Sequence, residues 1–297
     1  MREKVLLLTA CVLALTAPAA ETATRPARVL LAVAGGGTTS LLTSSDGVRF
    51  SAPVASWPGT MPSPVRRGAT LYVYDSPTLS ADGLSGTVRR FAVGAGGVLT
   101  GKGSAGYSVQ LGSPEDAARA TAGSFAPSFA VDDAGTIVLF YGLRFDPATN
   151  ACPVVGQACV KLRTATEVSG SDGTAFDGDP GNRVVLGLAA AETLGPPALL
   201  RTRTGWAALL RGPAGCLHLV TGRDLRGHYK DGCVADQAPA TPSALWGPAV
   251  REYRLYGVVG GRVVRMVSRR LGAVVTKRFR PLDVAGRPSF ARVAPNS

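Results

Sequence analysis

The amino-acid sequence predicts an all-β fold made of repeated groups of short strands. The 297 residues include 37 Gly and 21 Pro, and these residues separate many short runs rich in Val, Leu and Tyr. Short apolar runs between turn residues are typical of β-strands, and convincing helical periodicity is nearly absent. In addition, a Pro-Ser start followed by two apolar runs returns along the chain. The three observations favour one repeating β unit.

The clearest copy of this unit is the stretch 126–141, which reads APSFAVDDAGTIVLFY. Its Pro-Ser start leads into a first strand at residues 129–131, and a second strand follows at residues 137–141. The Asp and Gly residues between the strands predict a tight turn in which Gly135 adopts a positive φ. The stretch therefore predicts an antiparallel pair that begins at the Pro-Ser dipeptide.

Similar starts fall near residues 62, 127, 197, 242 and 288, at intervals of 65, 70, 45 and 46 residues. An interval of about 45 residues is the size of a four-stranded propeller blade. The two longer intervals contain insertions. One is a short helix with its N-cap at Ser113, and the other is an eleven-residue loop from Asp146 to Gly156. The spacing therefore predicts a five-bladed β-propeller.

The two ends of the chain complete each other in this prediction. Residues 29–33, VLLAV, look like a second strand without a Pro-Ser strand before them, and residues 288–293, PSFARV, look like a first strand without a partner after them. An open sheet edge is a liability because its unpaired backbone groups can pair with another chain. We therefore expect the C-terminal strand to close the first blade of the ring.

Residues 1–19 have the features of a signal peptide: a basic start, an apolar run and a small-residue cleavage site. The apolar run is shorter than the ~20 residues that a transmembrane helix needs. A bacterial lipobox ending at Cys11 is the rival interpretation, and it is disfavoured because few apolar residues precede this cysteine. We expect residues 20–297 to form a single, monomeric propeller domain that is secreted or extracytoplasmic.

Four cysteines follow the predicted signal peptide: Cys152, Cys159, Cys216 and Cys233. An even number of cysteines in an exported protein predicts disulfides. Because each pair lies within one repeat unit, we expect Cys152 to bond Cys159 and Cys216 to bond Cys233. The spacings fit no usual zinc pattern, and the sequence predicts no cofactor.

A second motif occurs twice, at residues 44–50 and 169–176, with the form Ser-x-Asp-Gly-x-x-Phe when one alignment choice is allowed. Asp-Gly predicts the tight turn between the two outer strands of a blade, and we expect the Phe to pack back into the blade. With these motifs the sequence resembles the five-bladed propellers of glycoside hydrolase family 43 and its relatives, and the Asp-Gly turns resemble the Asp-boxes of sialidases. The resemblance implies a glycosidase-like fold.

The resemblance also implies acidic residues at the starts of inner strands, where a pair of carboxyl groups serves glycoside hydrolysis. The residues before the aligned prolines are instead Met61, Ala126, Pro196, Thr241 and Arg287, and none of them is acidic. The resemblance therefore carries over no catalytic residue.

Displaced carboxylates are the remaining candidates for catalysis. Asp75, Asp132 and Glu192 lie near strand ends, where each also has an ordinary interpretation as a turn or strand-end residue. We favour that ordinary interpretation. The sequence thus inclines towards a protein that is not an enzyme, with a glycoside hydrolase as the alternative.

Oxygen-bearing side chains cluster at residues 171–182, which read SDGTAFDGDPGN. Asp172, Asp177, Asp179 and Asn182 are candidate ligands for calcium, which prefers carboxylate and carbonyl oxygens. Their spacing is not that of an EF-hand, and consecutive turns explain the same residues. The turn interpretation is favoured, and a calcium site is the alternative.

Positive charge is the most unusual bulk property of the chain, whose formal net charge is +12. Between residues 251 and 292, eleven basic residues stand against two acidic ones. Strand-like alternation there predicts an exposed basic sheet face with its loops, and an anionic partner is the functional interpretation. A solvated face without a partner is the alternative. The candidate ligand-binding residues are Arg262, Arg265, Arg269, Arg270, Lys277, Arg278, Arg280 and Arg287.

Three functions are compatible with these observations. The first is an exported glycosidase-like propeller that binds a glycan or an anionic surface polymer without catalysis. The second is an active glycoside hydrolase with displaced carboxylates, and the third is a structural or protein-interaction propeller. Nucleic acid fits less well as a partner because no basic-aromatic recognition motif is present. The arrangement of acids around the central pocket distinguishes the first two functions.

Overall fold

The computed structural model describes most of the chain after the predicted signal peptide. The described residues are 29–80, 83–112, 127–149, 151–188, 195–212, 215–247, 251–272, 278–284, 288 and 290–295. The signal peptide, the helix predicted after Ser113 and the candidate residues Glu192, Lys277 and Arg287 lie outside them. Among the described residues, no helix is long and apolar enough to cross a membrane.

Apart from two short 3-10 turns, the described elements are β-strands. In chain order they are β1 (Val29–Gly35), β2 (Thr38–Ser44), β3 (Ala55–Pro58), β4 (Ser63–Arg67), β5 (Thr70–Tyr74), β6 (Thr78–Ser80), β7 (Gly83–Val93), β8 (Leu99–Gln110), β9 (Ser128–Val131), β10 (Ile137–Phe145), β11 (Ala158–Glu167), β12 (Ala175–Gly178), β13 (Val184–Leu188), β14 (Ala198–Arg201), β15 (Trp206–Arg211), β16 (Leu217–Gly222), β17 (Cys233–Ala235), β18 (Ala240–Gly247), β19 (Glu252–Val259), β20 (Arg262–Ser268), β21 (Arg280–Pro281) and β22 (Phe290–Pro295). The apolar runs thus form strands, and the Gly, Asp and Pro residues between them form turns.

The strands pair mainly with their neighbours in the chain. Three four-stranded sheets have the orders β22-β1-β2-β3, β14-β15-β16-β17 and β18-β19-β20-β21. A ten-stranded sheet contains two further meanders, β4-β5-β7-β8 and β9-β10-β11-β12, which the parallel pairing of β8 with β12 joins. We name these groups units 1 to 5 in chain order, beginning with the unit that contains β1.

The C-terminal strand belongs to the first sheet. β22 pairs antiparallel with β1, so that Leu31 lies opposite Val293 and Val33 lies opposite Ala291. β1 is buried along almost its whole length, because it has a strand on each edge and core on each face. The predicted all-β fold, with its first sheet closed by the C-terminal strand, is confirmed.

The innermost strand of each unit contacts the innermost strands of the units on either side. The contacts run from β22 through β4, β9, β14 and β18 and return to β22. This ring supports a propeller, and the number of five blades stays an interpretation of the strand order. We call the end of the ring where the inner strands begin the start face, and the other end the end face.

Buried serines at the Pro-Ser starts tie one inner strand to the next. Ser63 in β4 accepts a hydrogen bond from the backbone N–H of Phe129 in β9 at 3.1 Å, and Ser128 in β9 accepts one from Leu199 in β14 at 2.9 Å. An inner strand has no sheet partner on its inner edge, so each hydroxyl satisfies a buried N–H there. The recurring Ser therefore joins neighbouring units.

The hydrophobic core lies largely between neighbouring units. At the boundary of units 2 and 3, Tyr74 stacks on Phe129 with ring centroids 3.6 Å apart. Tyr107 meets the Tyr74 ring edge-on, and Phe176 meets the Phe129 ring in the same way. Aromatic rings bury large apolar areas, and edge-to-face contacts add to the stabilisation. Each sheet of the ring therefore buries side chains on both faces.

The two Asp-Gly turns bind tyrosines of the preceding unit. The Tyr74 hydroxyl donates to the Gly173 carbonyl at 3.0 Å, and the Tyr256 hydroxyl donates to the Gly47 carbonyl at 2.9 Å. A Cβ at Gly173 would lie 2.5 Å from the Tyr74 oxygen, and one at Gly47 would lie 2.6 Å from the Tyr256 oxygen. Both turns therefore need glycine for contact as well as for their positive φ.

The phenylalanines of the same motif pack across the unit boundary. Phe176 meets Tyr74 edge-on at 6.0 Å, and Phe50 meets Tyr256 edge-on at 6.4 Å. The motif is thus a latch between units, which differs from the packing within one blade that the sequence predicts. The difference arises because each sheet of a ring has a neighbouring sheet on both faces.

Both predicted disulfides are present. Cys152, in the loop between β10 and β11, bonds Cys159 at the beginning of β11, and Cys216 bonds Cys233 beside the pairing of β16 with β17. Their Cα atoms lie 5.7 and 5.9 Å apart, within the usual range for a disulfide. Each bond fastens outer strands and loops of one unit and does not cross the ring.

Deleting residues 286–297 should prevent stable folding, because it removes β22 and exposes the inner edge of β1. We expect aggregation, or loss of the cooperative melting transition followed by circular dichroism. The matched control deletes residues 296–297, which follow the last paired residue, Pro295, and it should melt like the full chain. A shortened protein with an unchanged melting curve would contradict the closure of the ring by the tail.

The substitution Ser128→Ala should lower the free energy of unfolding by about 1–3 kcal/mol, because the buried N–H of Leu199 loses its acceptor. The control Ser56→Ala removes an exposed hydroxyl pair with Ser40 and should change stability by less than about 0.5 kcal/mol. Chemical denaturation measures both variants. Equal effects would show that the serine at the inner-strand start does not tie the units together.

Candidate functional site

The start face holds the positions that carry acids in the glycosidases that the sequence resembles. Met61 and Thr241 precede the starting prolines of units 2 and 5, and both adopt left-handed backbone, with φ of 46° and 49°. This conformation is costly for a non-glycine residue, most of all for β-branched threonine, and such strain clusters at functional sites. Pro196 holds the equivalent place in unit 4, whereas Ala126 and Arg287 lie outside the described residues. None of the five is a carboxylic acid.

Among the described catalytic candidates, Asp75 lies on the start face. It follows β5, whose last residue, Tyr74, pairs with Ser63 at the beginning of β4. Its Oδ1 accepts a hydrogen bond from Trp57 Nε1 at 3.4 Å, and its backbone carbonyl accepts one from the Tyr107 hydroxyl at 2.9 Å. The half-buried carboxyl group is therefore held between units 1 and 2.

The surroundings of Asp75 favour its protonated form. Burial raises the pKa of this carboxyl above the ordinary value of 3.8, against the opposing effects of the Trp57 hydrogen bond and the positive charge of Arg89. Gly59 confines the group further, because a Cβ there would lie 2.6 Å from Asp75 Oδ1. A raised pKa in a confined site is a feature of general acids. The geometry therefore favours Asp75 over Asp132 as a catalytic candidate.

Asp132 lies on the end face, in the turn between β9 and β10. Its Oδ1 accepts hydrogen bonds from the N–H groups of Ala134 and Thr136, at 3.0 and 2.9 Å. Its Oδ2 pairs with Arg226 of unit 4 at 3.0 Å. Asp132 thus stabilises its own turn and one unit boundary. Because it lies at the opposite end of the ring from Asp75, the two carboxyl groups do not face one shared pocket.

Asp172, a candidate calcium ligand, belongs to the boundary of units 2 and 3, which we call the 2–3 seam. Its Oδ1 accepts hydrogen bonds from Tyr72 at 2.6 Å and Arg67 at 3.0 Å, and its Oδ2 pairs with Arg90 at 2.6 Å. Arg67 also pairs with the buried Glu167 at 2.5 Å. The pKa of Asp172 is lowered, first by the Tyr72 hydrogen bond and then by Arg90. Two arginines therefore meet two carboxylates in this seam.

The other candidate calcium ligands have separate surroundings. Asp179 accepts a hydrogen bond from Thr166 at 2.7 Å, Asn182 accepts one from Arg163 at 2.8 Å, and Asp177 is exposed. Within the described part of the chain, no group of three or more His, Cys, Asp or Glu side chains is arranged to hold a metal ion. The oxygen cluster of the sequence is thus divided between turns and a seam.

The predicted basic residues do not share one exposed face. Arg262 is exposed beside the Gly260-Gly261 turn, whereas Arg269 and Arg270 are exposed beyond the other end of β20. Between them, Arg265 is half-buried on the side of the sheet that packs against unit 1. Residues three apart on a strand point to opposite faces, and in a ring both faces meet a neighbour. The remaining described members, Arg278 and Arg280, are exposed.

Arg67, Arg90 and Glu167 fasten the 2–3 seam together with Asp172, but the sequence did not predict these three as site residues. Arg67 and Arg90 each end an Arg-Arg dipeptide on a strand, and Glu167 ends β11. Paired arginines in a strand place one cation on each face, so one of them must enter a boundary between units. That signal was available in the sequence, but the partners of these arginines were not, because they lie about a hundred residues away.

The strand order, the ring of inner strands and the Asp-Gly turns define an all-β fold of the propeller type. Solved structures with this fold include a family 117 glycoside hydrolase from the marine bacterium Zobellia galactanivorans, with a TM-score of 0.50 and 11% identity, covering 75% of this chain and 68% of that chain. An endo-arabinase from Bacteroides thetaiotaomicron has a TM-score of 0.53 and 8% identity, covering 83% of this chain and 94% of that chain. No family model matches the sequence, and no curated protein matches it. At these identities the likeness shows the fold alone.

The substitution Asp75→Asn should stabilise the protein near pH 7. Because burial raises the folded-state pKa, the wild type loses stability as the pH rises from the unfolded value of 3.8 through the folded pKa, and the neutral amide avoids this loss. The amide oxygen can still accept from Trp57. The difference in the free energy of unfolding between variant and wild type should disappear at pH values below the unfolded pKa. Chemical denaturation at several pH values measures this difference. The control Asp132→Asn should destabilise, because it weakens an ion pair; stabilisation by both variants would contradict the assignment.

Proposed function

We propose that the protein is exported and binds a glycan or an anionic surface polymer without hydrolysing it. The observation that carries this proposal is the composition of the start face, where Met61, Pro196 and Thr241 stand at inner-strand starts. Hydrolysis of a glycosidic bond generally uses two carboxyl groups that flank the bond. Of the described candidates, Asp75 lies on this face without a second candidate beside it, which favours binding over turnover.

The charge of the chain supports an anionic ligand. The formal net charge is +12, and Arg262, Arg269, Arg270 and Arg278 are exposed. Guanidinium groups attract polyanions at a distance and form bidentate hydrogen bonds with carboxylate, sulfate and phosphate groups. The two disulfides fit an oxidising compartment outside the cytoplasm. An acidic polymer of the cell surface satisfies both the charge and the compartment.

A glycoside hydrolase with displaced carboxylates is the second candidate function. The half-buried carboxyl group of Asp75 favours it, because burial raises the pKa of this group, which is the direction that a general acid requires. The two solved glycosidases of similar fold are consistent with this chemistry but do not carry it over to this chain. A test of function must therefore measure turnover and binding separately.

In a hydrolysis assay we expect no turnover of common arabinosides, xylosides and sialosides by the purified chain. In a binding assay we expect affinity for acidic polysaccharides that weakens steeply between low and physiological salt, because exposed charges are screened over ~8–10 Å there. Fluorescence anisotropy with labelled dextran sulfate, labelled polygalacturonate and neutral dextran measures this. Arg269→Glu, Arg270→Glu and Arg278→Glu together should abolish the binding.

The matched control reverses three exposed arginines of unit 4, Arg203, Arg211 and Arg223, which changes the net charge equally. It should weaken binding less, because these residues lie outside the basic part of the chain. Turnover of a glycoside that is lost in Asp75→Asn would establish the hydrolase instead. Equally tight binding of neutral dextran at all salt concentrations would contradict a polyanion ligand.

A further inference from the structure

The two latches between units share their geometry but differ in charge. In the 2–3 seam, a tyrosine hydroxyl binds the glycine carbonyl of the turn, and Asp172 and Glu167 neutralise the arginines of the preceding unit. At the boundary of units 5 and 1, which we call the 5–1 seam, Tyr256 binds the turn that contains Asp46 in the same way. The second seam therefore allows a direct comparison within one chain.

The 5–1 seam brings three arginines to one side of unit 5. Arg254 lies two residues from Tyr256 in β19. In the backbone register, Arg265 of β20 lies opposite Tyr256, and Arg280 of β21 lies opposite Arg265. Residues two apart on a strand, and residues directly opposite in an antiparallel pair, place their side chains on the same face. Tyr256 packs on Phe50 of unit 1, so this face is the one that unit 1 covers.

The carboxylate of the 5–1 turn does not neutralise these arginines. Asp46 Oδ1 accepts hydrogen bonds from the N–H groups of Arg49 and Val48, at 2.9 and 2.7 Å, and these bonds lower the pKa of Asp46. Arg254 Nη1 instead donates to the backbone carbonyl of Asp46 at 3.1 Å. The Asp46 side chain thus stabilises its own turn, whereas Asp172 in the other seam receives two arginines.

In the part of the chain that the structure describes, neither Arg254 nor Arg265 forms an ion pair, although both are half-buried. Within the same residues, the Nε atoms of both are buried without a hydrogen-bond partner. Glu252 lies on the same face of β19, two residues from Arg254, but no ion pair joins it to either arginine within the described residues. Partly desolvated cations without a counter-ion are costly, and a bound anion offsets that cost.

We propose that the 5–1 seam binds a carboxylate or sulfate group of an acidic polysaccharide, with Arg254 and Arg265 as its ligands and Arg280 at its edge. Planar guanidinium groups bind such oxyanions through paired hydrogen bonds. The inference rests on the proposed function, and it places the anion site on the side of the ring away from Asp75. In the 2–3 seam, protein carboxylates occupy the place that the polysaccharide anion takes here.

The test compares two double variants of equal charge. Arg254→Gln with Arg265→Gln removes the seam site, and the loop variant, Arg203→Gln with Arg223→Gln, removes two exposed loop arginines of unit 4. We expect the seam variant to lose affinity for labelled dextran sulfate or polygalacturonate by about tenfold or more, because it removes charged hydrogen bonds. The loop variant should lose clearly less at physiological salt, where exposed charges are screened.

A third variant supplies the missing counter-ion from the protein itself. Val267 lies opposite Arg254 in β20, so Val267→Glu places a carboxylate on the face that carries the arginines. We expect this variant to melt at a higher temperature than the wild type in chloride and to lose the stabilisation that inorganic sulfate gives the wild type at equal ionic strength. This readout remains available if the double seam variant fails to fold.

The outcomes separate the inference from the proposed function. If no acidic polysaccharide binds the wild type but sulfate still stabilises it through the seam arginines, the proposed function fails and an anion site remains. If polymers bind the wild type and the loop variant loses more affinity than the seam variant, the proposed function holds and the seam assignment is overturned. Unchanged melting of Val267→Glu, with sulfate stabilisation intact, would also overturn it. Comparing the two polymers tells carboxylate from sulfate recognition.

Discussion

The pairing of β22 with β1 is the constraint on which the rest of the structure depends. Leu31 and Val33 of β1 pair with a strand from the other end of the chain, so the first unit is complete only when the ring is closed. Closure gives every inner strand a neighbour on both sides. It also gives every sheet two covered faces, which explains why aromatic rings and arginines lie at boundaries between units.

Because the faces of each sheet are covered, several polar groups are satisfied across the boundary between two units. Ser63 and Ser128 satisfy backbone N–H groups of the next inner strand, and Tyr74 and Tyr256 satisfy turn carbonyls of the next unit. Unit 4 begins with Ala198 in place of the serine, so the Pro-Ser start is not an invariable requirement of the ring. Hydrogen bonds at the boundaries thus supplement an apolar interface that the aromatic side chains dominate.

Much of this fold could be predicted from the sequence because its signals are local. The Asp-Gly turn around Gly173, the Pro-Ser start at Ser128 and the cysteine pairs each lie within a few residues to a few tens of residues. Contacts between units could not be predicted, because partners such as Arg67 and Glu167 are a hundred residues apart. The alternation of apolar and polar residues in a strand also does not indicate which other strand it packs against. The same limit explains Arg265: its position in an alternating strand predicts exposure, whereas the neighbouring unit half-buries it.

The two faces of the ring therefore offer different chemistry. On the start face, Met61 and Thr241 keep a strained left-handed backbone at inner-strand starts, but they bring no carboxyl group to this face. Asp75 is held there by Trp57 and Tyr107 in a site that disfavours its charged form. Asp75 is the one described candidate on this face, and hydrolysis generally uses a pair of carboxyl groups that flank the glycosidic bond.

On the end face, charge decides what a boundary can bind. The 2–3 seam is internally neutral because Asp172 and Glu167 lie within reach of Arg67 and Arg90. The 5–1 seam has the same latch without carboxylates in those places, so its guanidinium groups keep the capacity to bind an oxyanion from outside. The carboxylate of Asp46 is used by its own turn. The 5–1 seam therefore presents guanidinium donors that can bind an acidic polymer.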